Sequence, residues 1–433
     1  MASSGHGPGN GAQGVEVRIA VVGGGGAGLA SAWLLEEQHD VTLFEADGRL
    51  GGHAHTIEID LDGHPVPIDA GFQFFGPGKP YTTFNRLLAE LRVPLRTYSA
   101  TMSLSRLTDG THVALPPFRH GRIVWPSLTP AALCDLIGFR RFLTGIPEFL
   151  AQRDTTVTIA EYIESRRMPR SFVDGFLYPF LLALWCVDLT QFREFAAYNA
   201  LFYLGDALRG GLHAPEQVEI DGGMKTYVAA LTATLRRTDV RLGARVHRLT
   251  REGESWLLVD STGARLAFDQ VVLATNARQA HELVSSTPEL DEVSRQLRRI
   301  RYFDTTIAVH GDRRLMPRSE SVWSVVNARW DGTHSQMSIW NPDRGLPVFR
   351  SWVTYEDRLP EPLYATAIYE HALVTVDYFD AQARLKRLRG SHGVWLAGLY
   401  ADDADSHESA VHSAVTIAEQ LAPGSRRLRV LRA

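Results

Sequence analysis

The stretch "VVGGGGAGLASAWLLEEQHDVTLFEADGRLGG", residues 21–52, decides the fold of this 433-residue chain. It completes a short β-branched run, VRIAVV, of the kind that forms a buried parallel strand. The glycines that follow match the spacing G-x-G-x-x-G, and AGLASAWLLEE is typical of a helix. A strand, a glycine turn and a helix in this order predict a dinucleotide-binding unit.

Each glycine of the turn has a physical reason to be there. Gly23 permits the tight turn, Gly25 lets the backbone approach a pyrophosphate, and Gly28 lets the helix pack closely on the strand. The backbone N–H groups of Gly26 and Ala27 open the helix, where the partial positive charge favours a phosphate. All five residues are therefore predicted to bind the cofactor.

A second predicted strand, DVTLFEA, ends near Glu45, about 20 residues after the glycines. A carboxylate at this position accepts hydrogen bonds from ribose hydroxyls and repels a 2′-phosphate. The alternative is a glycine-rich turn followed by an ordinary surface glutamate. The strand, turn, helix, second strand and terminal acid together favour the dinucleotide site.

The next residues, EADGRLGGHAHT, resemble the E-x-x-x-R-x-G-G segment of the flavin amine oxidase and phytoene desaturase superfamily. The resemblance implies that Arg49, Gly51 and Gly52 continue the pyrophosphate cradle of a non-covalently bound FAD. His53 stands where the superfamily often has arginine, which is similar to a bacterial branch of oxidoreductases with GGH-x-HT. Alternatively, His53 and His55 are surface residues at the start of a strand. No carboxylate is near them in sequence, so no metal site is expected.

The resemblance also implies that later segments return to FAD. The sequence VPIDAGFQFF is similar to the family's D-x-G loop, which Asp69 and Gly71 shape. Phe72, Gln73 and Phe74 would then reach the isoalloxazine ring. As the alternative, Phe72 and Phe74 are core residues on one side of a strand.

Two further segments complete the expected site. Val246 corresponds to the residue whose backbone contacts adenine in the family. Gly398 corresponds to the glycine that precedes an acid on the ribityl chain, but Leu399 stands at the acid's position. Asp402 or Asp403 would have to replace that acid.

The segment HESAVHSAVTIAE resembles the start of the family's C-terminal helix. The resemblance implies that the N–H groups of Ser409, Ala410 and Val411 face the pyrimidine oxygen of the flavin and stabilise negative charge there.

These segments predict an α/β fold: a discontinuous Rossmann-type FAD-binding domain with an inserted α+β substrate domain, as in amine oxidases. The expected division is a disordered leader at 1–16; FAD-binding segments at 17–115, 216–285 and 390–425; substrate-domain segments at 116–215 and 286–389; and a basic tail at 426–433.

Composition excludes several classes of partner and environment. Lys and Arg number 45 against 49 Asp and Glu, a net charge of −4, so no nucleic acid partner is expected. With Cys134 and Cys186 as the only cysteines and no signal-peptide pattern, a cytoplasmic location is expected. GFRRFL and the tail SRRLRVLRA combine arginine with apolar residues, which predicts a weak peripheral membrane contact. Solvated helix faces and a frayed terminus are the alternative.

No second G-x-G-x-x-G follows a predicted strand, so electrons are expected to enter from the substrate rather than from NAD(P)H. The aromatic-rich segment FLYPFLLALWCVDL fits either a hydrophobic pocket or a helical core. The predicted activity is FAD-dependent removal of a hydride from a lipophilic carbon skeleton, an acyl chain or polyene, to flavin N5, which gives desaturation. Oxygen or a quinone would then reoxidise the flavin.

Three alternatives remain open: a redox-neutral double-bond isomerase, an amine oxidase, and a non-catalytic flavin-binding protein. The resemblance gives amine oxidases an active-site lysine, and none of the three lysines occupies the expected strand. The catalytic side chains are unknown, with Gln73, Trp340 and Tyr400 as candidates; Tyr400 and Trp340 would form a partial aromatic cage.

Overall fold

The computed structural model describes residues 16–119, 122–205, 214–341 and 345–433, so the predicted leader lies outside the described residues except for Glu16. The strands are β1 Arg18–Val22, β2 Asp40–Phe44, β3 Thr56–Leu61, β4 His64–Asp69, β5 Phe74–Phe75, β6 Leu95–Ser99, β7 Met102–Arg106, β8 His112–Leu115, β9 Phe118–Arg119, β10 Arg122–Ile123, β11 Glu216–Ile220, β12 Asp239–Arg241, β13 Val246–Glu252, β14 Ser255–Asp260, β15 Arg265–Phe268, β16 Gln270–Leu273, β17 Tyr302–His310, β18 Val326–Trp330, β19 Ser335–Ile339, β20 Phe349–Trp352, β21 Leu363–Ala372 and β22 Val394–Leu396. The helices are α1 Gly26–Leu35, α2 Thr82–Glu90, α3 Pro130–Leu143, α4 Ile146–Gln152, α5 Ile159–Ser165, α6 Arg170–Phe172, α7 Tyr178–Trp185, α8 Leu189–Arg193, α9 Ala197–Leu201, α10 Met224–Ala233, α11 Ala277–Val284, α12 Asp291–Leu297, α13 Val376–Leu388, α14 His407–Leu421 and α15 Arg426–Arg432.

The first sheet has five strands in the order β12-β2-β1-β16-β22, and every neighbouring pair is parallel. Alternate residues of β1 enter two cores: Val21 packs with α1 and α14, and Ala20 packs with β14 and α11. A parallel sheet that is covered on both faces confirms the predicted Rossmann-type fold.

The turn after β1 depends on glycine at two positions. A Cβ on Gly28 would lie 1.8 Å from the carbonyl oxygen of Gly23, a distance that no side chain can occupy. Gly23 has φ +107°, which L-residues with a side chain rarely adopt. The spacing therefore follows from close packing between the turn and α1.

The second large sheet has seven strands in the order β21-β17-β20-β19-β18-β7-β8. Helix α7 packs against β18 and β19, and the aromatic side chains Phe176, Phe180, Phe192 and Phe195 are at most 2% exposed. These phenylalanines form a helical core. Because β7 and β8 pair within this sheet, strand pairing favours ending the first FAD-binding segment before Met102; the domain division remains a prediction.

The C-terminal segment is a docked helix rather than a frayed terminus. Leu428 and Leu431 of α15 are each 2% exposed and pack in the core of α1 and α14. Arg427 donates a hydrogen bond to the carboxylate of Glu36 at 2.7 Å and to the carbonyl of Trp33 at 2.6 Å. No helix within the described ranges is long and apolar enough to cross a membrane.

Removal of the Arg427 guanidinium is expected to destabilise the fold. The variant Arg427→Met leaves the buried Glu36 carboxylate without its cationic partner, so the free energy of unfolding should fall by about 3 kcal/mol in urea titrations. Arg429→Met is the matched control because Arg429 is an exposed arginine of the same helix. Equal stability of the two variants would contradict the role of the buried pair.

Candidate functional site

A concave backbone surface lies where the first glycine turn meets the second. The N–H of Gly51 donates to the carbonyl of Gly24 at 2.8 Å, and Gly25 pairs with Gly51. A Cβ on Gly25 would meet only the Cα of Gly52, at 3.9 Å, so there is open space in front of it. Among the described residues, no acceptor bonds the N–H groups of Gly26 and Ala27 at the start of α1. These free donors and the helix dipole favour an anion.

Two charged side chains brace this surface. The Glu45 carboxylate accepts hydrogen bonds from the N–H of Gly24 at 2.7 Å and from the N–H of Asp47 at 2.8 Å. Arg49 donates from both terminal nitrogens to the carbonyl of Gly52 at 3.1 Å. Arg49 therefore binds nearby backbone, which is one of the two partners that the sequence predicted for it.

Val246 lies shortly after a segment that contacts Glu45. The strand residues before it run alongside the end of β2, and the N–H of Ala244 donates to the carbonyl of Glu45 at 2.8 Å. Val246 is 7% exposed and begins β13 at a bulge. This position is compatible with the predicted adenine contact.

The loop at Gly71 is pressed against the start of the GGHAHT segment. A Cβ on Gly71 would lie 2.0 Å from the carbonyl of His53, and the N–H of Phe72 donates to the same carbonyl at 2.9 Å. Phe72 and Phe74 are both half-buried but belong to different clusters: Phe72 packs in the core of α1 and α2, and Phe74 packs against Tyr98. They therefore do not share one side of a strand.

His407, which the sequence analysis did not select, joins three elements of the site. Its ring stacks on Phe72 with centroids 4.7 Å apart, and its Nε2 lies 3.1 Å from the hydroxyl of Tyr227 on α10. A Cβ on Gly26 would lie 2.6 Å from the His407 ring, so the imidazole lies against the start of α1. Desolvation lowers the pKa of His407 to about 3, and the ring is neutral at neutral pH.

At the N-terminus of α14, the amides that are available to a ligand differ from the predicted ones. The N–H of Ser409 donates to the hydroxyl of Ser406 at 3.1 Å, and the N–H of Ala410 donates to the Ser406 carbonyl at 3.3 Å. Both are already used in the helix cap. The first two amides of the helix, those of His407 and Glu408, are the donors that remain for a ligand.

The corner at Gly398 is formed as predicted, but the proposed replacement acids have other partners. Gly398 has φ +124°, and its N–H donates to a serine hydroxyl of α14; Val411 of the same helix is fully buried. Asp402 accepts a hydrogen bond from a histidine at 2.9 Å, and Asp403 pairs with Arg153 at 2.8 Å. Neither acid is therefore free to replace the missing one.

A second group of rings lies beside the Gly71 loop, and two of them, Tyr369 and His371, come from β21. His371 stacks on His53 with centroids 5.7 Å apart, and Tyr369, two residues before His371, bonds to His55 through its hydroxyl at 2.8 Å. Desolvation lowers the pKa of His371 to about 3 and also lowers that of His53. His53 and His371 thus form a pair of stacked imidazole rings beside the Gly71 loop.

The three catalytic candidates are not brought together. Gln73 lines a small cleft beside Arg350, where its Oε1 accepts a hydrogen bond from the guanidinium at 2.8 Å. Trp340 packs edge-on against Trp323 in the cluster of Phe349, whereas Tyr400 is buried in the core of β14 and α11. Tyr400 and Trp340 therefore form no aromatic cage, which corrects that expectation.

Four side chains of the site escaped sequence reasoning: Arg350, Tyr369, His371 and His407. Three of them come from β20 and β21, which pair with β17 on either side of it. The alternation of Tyr369 and His371 along β21 was the available signal, since residues two apart share a face of a strand. Nothing in the local sequence shows which face meets the glycine turns.

Comparison with known proteins agrees with this geometry. The family described as flavin containing amine oxidoreductase matches residues 27–361. The coproporphyrinogen III oxidases of Mycobacterium tuberculosis and Mycobacterium bovis are 27% identical over 298 residues, which cover 64% of this chain and 63% of theirs. The match thus spans less than two thirds of the length of these curated relatives.

Solved structures with the same fold cover nearly the whole chain. A fatty acid isomerase from P. acnes that produces CLA has a TM-score of 0.69 and 14% identity, with 95% of this chain and 100% of that chain covered. Cyclohexylamine oxidase from Brevibacterium oxydans IH-35A has a TM-score of 0.64 and 15% identity, with 94% and 100% covered. The family match extends over most of the sequence, and this chain belongs to the flavin containing amine oxidoreductases, a family of oxidoreductases whose cofactor is FAD.

Proposed function

We propose that the protein is an FAD-dependent oxidoreductase that removes a hydride and a proton from adjacent carbons of a lipophilic skeleton and leaves a double bond. One observation carries the proposal: the open glycine surface at Gly25 lies next to the stacked rings of His407 and Phe72, and the Phe72 backbone is bonded to His53, whose ring stacks on His371. A dinucleotide with a redox-active end fits such a path, since one end needs backbone donors and the other a dry enclosure.

The residues present fit FAD. The space in front of Gly25 and the free N–H groups of α1 suit a pyrophosphate, and Glu45 lies where ribose would bind. FAD, when bound, supplies the hydride acceptor. The residues proposed to hold it are Gly23, Gly25, Gly26, Ala27, Gly28, Glu45, Arg49, Gly51, Gly52, His53, Gly71, Phe72, Gln73, Phe74, Val246 and Gly398, with the amides of His407 and Glu408 in place of those of Ser409, Ala410 and Val411.

The chain's own residues exclude water and hold the substrate. Desolvation lowers the pKa of His53 and of His371, so both imidazoles are uncharged at neutral pH. A neutral imidazole can still accept or donate one hydrogen bond to an orienting group. Positioning of the reacting carbon, rather than a charged nucleophile, is the contribution proposed for these residues.

Amine oxidation is less well supported. Lys225 forms a surface ion pair with Glu58, and Lys386 lies on α13, outside the histidine-lined cavity. The expected aromatic cage of Tyr400 and Trp340 is not formed. An isomerase remains the second candidate, because a carbon substrate and a dry cavity serve it equally well and a structural neighbour is titled a fatty acid isomerase.

The FAD site is tested by Gly25→Val. A side chain at Gly25 meets no protein atom closer than 3.9 Å and its backbone has φ −74°, so the variant should fold; its side chain should nevertheless fill the space proposed for the pyrophosphate. We expect the yellow chromophore of the purified protein to be lost and the thermal midpoint of the apoprotein to be unchanged. Gly78→Val, at another glycine with open space around it, is the control that should keep FAD. Retention of FAD in Gly25→Val would contradict the proposed path.

Desaturation and isomerisation are separated by turnover without an electron acceptor. Under strict anaerobiosis, a desaturase should convert no more than about one equivalent of an unsaturated acyl substrate per flavin, because the hydride leaves the substrate for good. Gas chromatography of the products measures this directly. Continued anaerobic turnover would overturn the desaturase proposal in favour of the isomerase, and turnover restored by oxygen or a quinone would support it.

We also propose a weak peripheral membrane contact, but at a different surface from the one predicted. The apolar residues of GFRRFL face inward: Phe139 is 8% and Phe142 0% exposed. Trp125 and Ile137 are instead 72% and 70% exposed, and Ile137 precedes two arginines on α3. An exposed apolar face beside arginines is typical of interfacial helices.

The double variant Trp125→Ser, Ile137→Ser is therefore expected to reduce co-sedimentation with phosphatidylglycerol vesicles by about tenfold or more. The pair Leu359→Ser, Ile368→Ser removes two other exposed apolar side chains and should leave binding unchanged. Equal co-sedimentation with neutral phosphatidylcholine vesicles would contradict the contribution of the arginines.

A further inference from the structure

Arg350, on the central strand β20 of the second sheet, is a buried cation with neutral partners. Arg350 as a whole is 6% exposed. Nη1 donates to the backbone carbonyl of Asp69 at 3.0 Å and to the amide oxygen of Gln73 at 2.8 Å. Nε is buried and has no acceptor, and Nη2 donates to no described residue. Three of its five N–H donors therefore remain unused.

Two other arginines with little exposure, Arg106 and Arg427, are paired with carboxylates. Arg106, 9% exposed, binds Asp135 at 3.0 Å, and Arg427 binds Glu36 at 2.7 Å. No carboxylate of the described residues lies within ion-pair distance of Arg350. Burial lowers its pKa to about 10, so the guanidinium is still charged at neutral pH. The charge of Asp69 favours the cation from beyond ion-pair distance, but no described carboxylate binds the guanidinium directly, which points to an anion supplied from outside the chain.

A small cleft lies beside this guanidinium. It has a volume of about 40 Å³ and is lined by Arg350, Gln73, Asn341 and Asp69, with apolar walls from β19 and the residues before β20. This volume holds a group of two or three heavy atoms. The cleft therefore has room for a carboxylate and an apolar approach to it.

The unused edge of the guanidinium defines the shape of the anion. Nε and Nη2 point in parallel, and this fork matches the two oxygens of a planar carboxylate. The Trp352 ring lies 4.6 Å from the guanidinium carbon and restricts its tilt. Nε is shielded from water while Arg350 lines the cleft, so binding of a carboxylate to this edge requires the side chain to turn toward the cleft.

Arg350 also belongs to the proposed reaction cavity. Gln73 links it to the loop that carries Phe72, and the charge of Arg350 contributes to the lowered pKa of His371. The distance from the anion to the reacting carbon would thus be short on the scale of an acyl chain.

We propose that Arg350 binds the carboxylate of the substrate, so that the substrate class is acidic lipophiles rather than neutral polyenes or amines. The inference rests on the proposed function only in that it calls the bound carboxylate a substrate; binding of the anion does not depend on catalysis. A cation at this position also disfavours an ammonium group by like-charge repulsion.

The test is a binding comparison on the FAD-loaded protein, with decanoate and methyl decanoate as probes in isothermal titration calorimetry. The ester keeps the chain and lacks the charge, so the wild type should bind decanoate about 10- to 100-fold more tightly. Arg350→Met should abolish this preference, and Arg350→Lys, which keeps the charge but loses the fork, should retain part of it. Arg358→Met, at an exposed arginine, is the matched control and should keep the full preference.

Several results would overturn the inference. An unchanged ratio of decanoate to ester affinity in Arg350→Met would do so, as would a wild type that binds neither probe. A changed FAD affinity together with an unchanged ratio would assign Arg350 to the cofactor instead. Should Arg350→Met not fold, the Arg350→Lys ratio decides, because a loss of the fork must lower it.

Failure of the two proposals is distinguishable. If the protein prefers carboxylates through Arg350 but no acyl chain reduces its flavin, the proposed function is wrong and the anion site stands. Reduction by neutral polyenes without any carboxylate preference would sink the inference and leave the function.

Discussion

The contact between Gly28 and the carbonyl of Gly23 is the constraint on which the rest of the structure depends. A Cβ on Gly28 would lie only 1.8 Å from this oxygen. Because glycine has no Cβ, α1 can start directly over the end of β1. The start of α1 then meets the second glycine turn through the bond between Gly51 and Gly24. A bulkier residue at either position would separate the helix from the turn and close the concave surface.

The same close approach organises the helices around the turn. His407, at the start of α14, lies against Gly26, and Glu408 next to it accepts the N–H groups of Thr83 and Phe84 at the start of α2. One helix N-terminus is thereby capped by a side chain from the next, while the first amides of α1 and α14 stay available. Capping between helices fixes their ends relative to one another more firmly than apolar packing alone would.

Electrostatics divide the cavity into a neutral wall and a charged point. Burial favours the uncharged imidazoles of His53, His371 and His407, since desolvation penalises their cations. Arg350 retains its proton because a guanidinium is a far weaker acid, so it places a positive charge in this region at neutral pH. A fold shared by enzymes of different chemistry does not choose among substrates, whereas the distribution of charge in the cavity does.

The sequence by itself determined the Rossmann-type fold, the family and the first glycine turn with Glu45 and Arg49, because these depend on spacing within one short stretch of chain. Backbone demands such as that of Gly71 were also legible, since only glycine tolerates the close approach to His53. Tertiary structure alone decided which side chains face the cavity. Strand pairing and helix docking between residues far apart in sequence bring Arg350, His371 and His407 there. Tertiary packing also places Trp340 and Tyr400 in separate cores. Periodicity shows that a strand has two faces, but only the packing of the sheet shows which face meets the nucleotide.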